Sequence, residues 1–518
     1  MFLPTDFSAL LAHWEAQRPD AAAVSFGGRT RSWRALADRV RRIATAIRAA
    51  GLRPGDRVAV LDLNHPSCLE LTLACAHAGT ANAVVNFRLA PPEIAYVVND
   101  AKARLLFVGP EFAGAVDKLR AQLPTVERVI PIGGEADAFE AWLAAHEPSA
   151  QAHPARPDDC FLQLYTSGTT GFPKGAMLTH RGMLAHSRHM AAHERMGPDA
   201  RVQVAMPLFH VGGTSYALVA MLAGAHIHMM RTPDPAAALA MLEAERITHT
   251  FFVPALLAAM NQVPGAAARD YAALRSLLYG ASPMPLPVMR ASLRLFPGVM
   301  AQVYGMTEQC GVVSVLEAAD HADPAVAHRL VSAGRPIAGC EIEVREPGTG
   351  RPVPTGEAGE IWVRSEQLMG GYWGQPAASA AVVSEDGWLR SGDGGHMDAD
   401  GYVYVTDRIK DMIISGGENI YPAEIERVLA EHPAIQDVAV IGVPDERWGE
   451  VPRAVVVAAN GATLDTADLL AWCRERLAGF KCPKAIELVA ELPRNPTGKV
   501  LKRVLRQPYW EGRERRIV

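Results

Sequence analysis

The chain has 518 residues, more than one hydrophobic core usually supports, so two or more domains are expected, each large enough to be stable without disulfides. Hydrophobic residues make up 49%, charged residues 21% and aromatic residues 7%, which excludes disordered and fibrous classes, and the net charge of -5 argues against a nucleic-acid binder. The 7 cysteines are scattered with no C-x-x-C pair, so no zinc ribbon or redox motif is expected and a reducing, cytoplasmic setting is.

In chain order, the first stretch, "MFLPTDFSALLAHWEAQRPD", carries acids and a histidine where a secretory leader needs a basic start and an unbroken apolar run. Strand-length apolar runs then alternate with helical patterns: "DRVAVLDLN" (56–64), "PSCLELTLACAHAG" (66–79) and "ANAVVNF" (81–87). This is the βαβ rhythm of a parallel sheet covered by helices. It returns at "RLLFVG" (104–109), "CFLQLY" (160–165), "RVQVAMP" (201–207), "HTFFVP" (249–254) and "LRSLLYGAS" (274–282). The longest apolar run, "YALVAMLAGAHIHMM" (216–230), is too short to span a membrane and holds two histidines.

After about residue 330 the texture changes. Short alternating segments, "CEIEVRE" (340–346) and "GEIWVRS" (359–365), sit between glycine-rich turns and predict a small antiparallel subdomain. Asp400-Gly401 predicts a hairpin turn before an alternating strand at Tyr402 to Val405, and Pro422 opens a helix, because proline suits the first helical turn. The strands "DVAVIGVPD" and "RAVVVAAN" and the helix "DTADLLAWCRERLAGF" complete a small α+β domain. The expected fold class is therefore α/β: a large N-terminal region of α/β lobes with a β-rich subdomain near 330–406, then a small mobile α+β domain. Residues 481–518 hold ten Lys or Arg against four Asp or Glu, a solvated basic end by default.

The stretch "YTSGTTGFPKG" (165–175) follows a strand, where α/β sheets bind ligands at their carboxyl ends. Glycines allow close backbone approach, and exposed N–H groups, hydroxyls and a lysine form a cradle for phosphate. The spacing is not that of a Walker A motif.

Thr166 to Lys174 resembles the phosphate loop of the adenylate-forming superfamily, which includes acyl- and aryl-CoA ligases, luciferases and peptide-synthetase adenylation domains. Further motifs stand in the family's order: "YGASP" (279–283), "YGMTE" (304–308), "SGD" (391–393), "DRIKDMIISGGENIYPAEIE" (407–426) and "PRNPTGK" (493–499). The resemblance spans nearly the whole chain. It implies an enzyme that joins a carboxylate to ATP, releases pyrophosphate and passes the acyl group from AMP to CoA, with Mg²⁺ as cofactor.

By that resemblance, Thr166, Ser167, Gly168, Thr169, Thr170, Gly171, Lys174 and Thr307 meet phosphate oxygens, and Glu308 helps to hold Mg²⁺. Gly280, Ala281, Ser282, Tyr304 and Gly305 form the adenine pocket. Asp393 reaches the ribose hydroxyls and Arg408 the ribose or phosphate, Ser391 standing where many relatives have Thr. Lys499 resembles the C-terminal catalytic lysine, its ammonium bridging carboxylate and α-phosphate as they join. Lys410 occupies the position of a hinge between domains 1–406 and 411–518, about which the small domain rotates between half-reactions.

Gly416 and Gly417 resemble the lining of a pantetheine tunnel, and Arg88, Trp448, Phe480 and Lys484 resemble contacts to the CoA nucleotide. Cys482 replaces a basic residue frequent in relatives, leaving Lys481 or Lys484 to meet the 3′-phosphate. For the acid, His210 matches a carboxylate-gating histidine. Val211, Gly212, Thr214, Gln309, Cys310 and Gly311, with Gly213, suggest an apolar cavity with room for a medium- or long-chain fatty acid. Aryl or aryl-alkyl acids, and loading of a stand-alone carrier protein, remain alternatives, as does an ATP-hydrolysing switch or kinase. A homodimer is an open option; no nucleic-acid or membrane partner is expected.

Overall fold

The structure, a computed structural model, describes residues 3–133, 137–166, 173–282, 284–408, 411–415, 418–445, 448–477, 479, 481–494 and 499–511. The chain divides into two compact units. The first comprises Met1–Leu330, Gly334–Glu341 and Arg364–Leu389; the second comprises Val331–Ala333, Ile342–Val363 and Arg390–Val518.

Two mostly parallel sheets build the first unit. One runs Arg128–Pro131, Ala103–Val108, Arg57–Leu61, Ala81–Val84, Cys160–Thr166 and Lys174–Thr179, its last pair antiparallel. The other has nine strands, with His226–Met229, Arg201–Val204, His249–Phe252, Ser276–Gly280 and Met300–Met306 parallel at its centre and antiparallel strands at its edges. Strands such as "RVAVL" (57–61) are buried at every position, as a parallel sheet covered on both faces requires.

Local signals set the covering helices. Pro66 opens the helix Pro66–Ala78, the His65 ring accepts from Ser67 N–H, and Gly79 ends it in the left-handed region at φ 79°. That helix is buried all round, in accord with its apolar sequence. Trp33–Ala49 is amphipathic instead: Leu36, Val40, Ile43 and Ile47 are buried at helical spacing, and the Ser32 side chain caps it by accepting from Ala35 N–H.

The second unit holds most of a four-stranded sheet, ordered Cys340–Arg345, Gly359–Ser365, Trp388–Met397 and Val403–Arg408. The Asp400-Gly401 turn joins the last two, with Gly401 at φ 82°. Its other sheet has five strands around the long hairpin Ile435–Asp445 and Gly449–Ala458. Alternation along that hairpin feeds two cores. Val440, Ala454 and Val456 face the helices Pro422–Ala430 and Thr466–Arg476, while Ala439, Ile441, Val455 and Val457 face Leu505 and Tyr509 of the helix Lys502–Trp510. The Pro422 helix and both hairpin strands stand where the sequence predicts them.

Candidate active site

The first unit gathers its candidate residues at the carboxyl ends of its strands. Thr166 ends the strand Cys160–Thr166, and in the antiparallel pairing it stands opposite Lys174, the first residue of the next strand. Beneath the hairpin lies a partly buried polar network. Tyr165 Oη donates to Asp100 Oδ2 at 2.7 Å, Gln163 Nε2 donates to Tyr165 Oη at 2.9 Å, and the Arg57 guanidinium reaches Gln163 Oε1 at 3.3 Å. The Arg57 guanidinium also stacks 3.4 Å over the Trp373 ring, whose indole N–H donates to the Asp100 carbonyl at 3.0 Å.

Glu308 sits at the tip of a second hairpin. Met300–Met306 and Gly311–Leu316 pair antiparallel, and the short 3₁₀ turn Thr307–Gln309 joins them through Cys310, which is left-handed at φ 55°. Gly305 is required because a Cβ there would meet the Gly311 carbonyl across the hairpin. In the neighbouring strand, a Cβ on Gly280 would meet the Val303 carbonyl, and the next residue, Ala281, is held at φ 68°. A non-glycine residue in that region is strained, and such strain clusters at functional sites. Ala281 and Ser282 are exposed; Tyr304, Thr307 and Glu308 are half-buried.

A segment that sequence reasoning missed ties the two hairpins together. Residues 369–373, "MGGYW", lie along the strand Lys174–Thr179. Gly370 N–H donates to Met177 O, Met177 N–H donates to Gly371 O, and Trp373 N–H donates to Gly175 O. At the other end Met369 N–H donates to the Glu308 carbonyl at 2.9 Å. Tyr372 Oη then donates to Glu308 Oε1 at 2.7 Å, while Lys174 Nζ lies 5.2 Å from the centre of the same tyrosine ring. The paired glycines before Tyr-Trp were the visible signal: Gly371 adopts φ 103°.

Around His210 the residues have less free space than the sequence suggests. His210 caps the helix Val211–Ala223, with Nδ1 accepting from Gly212 N–H at 3.2 Å. A Cβ on Gly212 would lie 2.8 Å from Phe251 Cε1, and one on Gly213 would meet the carbonyls of Pro207 and Met206. The room expected from these glycines is thus occupied by the protein's own ring and backbone. Val211 is buried.

Thr214 donates its hydroxyl to Leu208 O, and Gln309 accepts from Ser365 Oγ, which commits both to neighbouring chain. Cys310 is buried, its sulfur 2.9 Å from where a Gly182 Cβ would stand. A side chain on Gly311 would strike the His186 ring, whose Nε2 accepts from Val312 N–H. Arg88 is exposed on the same unit, its guanidinium 5.6 Å from the centre of the Phe87 ring.

In the second unit, Asp393 is buried and pairs across the hairpin with Arg408, of which the backbone is described. Asp393 N–H donates to Ser391 Oγ, which itself donates to the Ile361 carbonyl at 2.6 Å, so Ser391 fixes the turn as a threonine would. Lys499 and Lys484 are exposed, and Trp448 is 41% exposed. Lys481 is paired with Glu424 at 2.8 Å, and the Cys482 side chain is buried among apolar residues. Ser167, Gly168, Thr169, Thr170, Gly171, Lys410, Gly416, Gly417 and Phe480 lie outside the described residues.

A lysine at a sheet's carboxyl edge, coupled through one tyrosine to a carboxylate, is an arrangement suited to a polyanionic ligand and the cation that accompanies it. The chain belongs to the adenylate-forming AMP-binding enzyme family: the family description "AMP-binding enzyme" matches residues 11–373, and "AMP-binding enzyme C-terminal domain" matches residues 424–499. It is 43% identical over 506 residues to a feruloyl-CoA synthase of Amycolatopsis sp, covering 96% of this chain and 99% of that protein. It is 39% identical over 504 residues to the fatty acid–[acyl-carrier-protein] ligase ScoC of Streptomyces coeruleorubidus, covering 96% of this chain and 95% of that protein. The crystal structure of ATP-bound MatB from Rhodopseudomonas palustris superposes with a TM-score of 0.89 at 30% identity, covering 97% of this chain and 99% of that one.

Proposed function

We propose that this chain, an AMP-forming acid:CoA ligase, activates an aromatic acid. The observation that carries the aromatic reading is the Phe251 ring standing where a side chain of Gly212 would be, which gives the acid site an aromatic wall beside His210. The similarity to feruloyl-CoA synthase supports it. A fatty acid is the second reading, favoured by the similarity to ScoC and by the buried Val211 and Phe209; that relative also keeps carrier-protein loading open.

Each residue then has a role. Thr166, the loop after it and Lys174 hold the triphosphate, Tyr304 stacks on adenine against Gly280 to Ser282, and Asp393 with Arg408 takes the ribose hydroxyls. Lys499 places its ammonium between the attacking carboxylate and the α-phosphate, where negative charge builds. The small domain rotates about Lys410 and exchanges Lys499 for the CoA channel, with Arg88, Trp448 and Lys484 meeting the CoA nucleotide.

A carboxylate and a hydroxyl, Glu308 and Thr307, are hard oxygen donors suited to Mg²⁺. An ion held there would take its remaining ligands from phosphate oxygens and water. Mg²⁺ bound there would neutralise charge on the leaving pyrophosphate. Among the described residues no helix is long and apolar enough to cross a membrane, and all seven cysteines are thiols, in keeping with a reducing cytoplasm.

The test is AMP release, dependent on CoA, across a panel of cinnamates, benzoates, octanoate and palmitate. The expected result is the highest kcat/KM for a cinnamate; highest values for palmitate would overturn the aromatic reading, and ADP as product would overturn acyl activation.

A further inference from the structure

The helix Val211–Ala223 leads away from His210, and one turn beyond Gly212 it presents Tyr216. The Tyr216 ring centre lies 6.1 Å from that of Phe251, so Gly212, Phe251 and Tyr216 form a continuous wall. On the sheet, His249 and Ser276 stand side by side in register, as do Phe251 and Leu278. Residues two apart in a strand share a face, so Ser276, Leu278 and Gly280 form one line. That line runs from the adenylate end at Gly280 to Ser276, about 13 Å at the usual rise of a strand.

Glu194 stands at the far end of this line. Its carbonyl is 3.1 Å from His249 Nε2, and its carboxylate is reached by the Ser276 hydroxyl. Tyr216 Oη and Glu194 Oε2 are both buried and, among the described residues, have no hydrogen-bond partner. Leaving such groups unpaired is costly, more so for a charge, so two orphaned atoms on this wall call for an explanation. Burial pushes the Glu194 carboxyl up to about 7, opposed by the Ser276 hydroxyl and reinforced by Glu317, itself 3.5 Å from His193. Burial, then the Glu194 carboxylate, raises the Tyr216 phenol well above its ordinary value.

We propose that Tyr216 and Glu194 form the far end of the acid site and bind a hydroxyl group on the substrate's aromatic ring, Tyr216 donating to that hydroxyl and Glu194 accepting from it. This deepens the aromatic-acid reading and rests on it. A phenolic hydroxyl both donates and accepts, which satisfies both orphaned atoms at once, whereas an alkyl terminus satisfies neither. Tyr216 and Glu194 are specificity-determining residues in this account, remote from the reacting carboxylate.

The experiment compares 4-hydroxycinnamate with cinnamate. For the unaltered enzyme, kcat/KM should favour 4-hydroxycinnamate by at least about tenfold, because cinnamate leaves buried polar groups unpaired. Tyr216→Phe and Glu194→Gln should bring the ratio to within about threefold by losing rate on the hydroxylated acid alone. Bound 4-hydroxycinnamate should show a shifted ultraviolet absorption that Glu194→Gln removes. Equal kcat/KM for the two cinnamates with unaltered enzyme, or an equal fall on both in the variants, overturns this inference while the aromatic reading stands. Turnover of octanoate and palmitate with neither cinnamate overturns both.

Discussion

Tyr372 Oη donates a 2.7 Å hydrogen bond to Glu308 Oε1 while its ring lies beneath Lys174 Nζ. One side chain therefore links Lys174, proposed to meet the phosphates, with the carboxylate proposed to hold Mg²⁺. Tyr372→Phe keeps the ring and removes only the hydroxyl. A hydrogen bond to a charged group contributes about 1.5–3 kcal/mol, so the Mg²⁺ concentration for half-maximal acid-dependent pyrophosphate exchange should rise about tenfold. Stability should fall by no more than about the same 1.5–3 kcal/mol, so the variant is assayed at a temperature where it remains folded. ATP–Mg²⁺ titration followed by tryptophan fluorescence should show the same weakening; unchanged Mg²⁺ dependence would remove Tyr372 from this role.

Gly280 stands where a Cβ would meet the Val303 carbonyl of the next strand, and backbone cannot retreat cheaply. Gly280→Ala should destabilise the protein by about 1–3 kcal/mol, as overpacking does, and raise KM for ATP. Calorimetry and initial rates at varied ATP check both.

The sequence was most legible where chemistry constrains the backbone directly. The strand runs, the Pro422 helix start and the Asp400-Gly401 turn follow from periodicity and φ preferences that need no distant partner. The motifs single out Asp393 and Glu308, and the structure puts each of them in a hairpin. Tyr372 was not readable, because its meaning comes from Glu308, 64 residues away in sequence. The crowding beside Gly212 is hidden from the sequence for the same reason: the ring that meets it belongs to Phe251, on the distant strand His249–Phe252. Thr214 and Gln309 look like pocket residues by position alone, yet their polar groups are committed to Leu208 and Ser365.

Lys499 is exposed in the second unit, on the short stretch after the motif "NPTG". If it bridges carboxylate and α-phosphate, Lys499→Ala should lower acid-dependent pyrophosphate exchange by at least about a hundredfold, the scale lost with one preorganised electrostatic group. Thioester formation from preformed acyl-AMP and CoA should survive within about threefold, since that step no longer builds charge at the α-phosphate. Equal losses in both half-reactions would show that the lysine serves the fold or CoA instead.

Glu194 links the proposed acid site to stability. Its carboxyl is pushed by burial from 4.5 to about 7 in the folded protein. Below pH 4.5 the group is protonated whether folded or unfolded and has no effect. Between 4.5 and 7 the unfolded chain releases the proton and the folded chain keeps it, so stability falls as pH rises, by about 1.4 kcal/mol per pH unit. The loss levels off above pH 7 at about 3 kcal/mol. Glu194→Gln has no proton to lose, so relative to the unaltered protein it should gain stability between pH 5 and pH 8, by at most about 3 kcal/mol. Urea denaturation at the two pH values measures this; parallel pH dependence in the two proteins would mean that Glu194 is solvated and ionised throughout, and its orphaned oxygen would then lack the buried setting that makes it a recognition group.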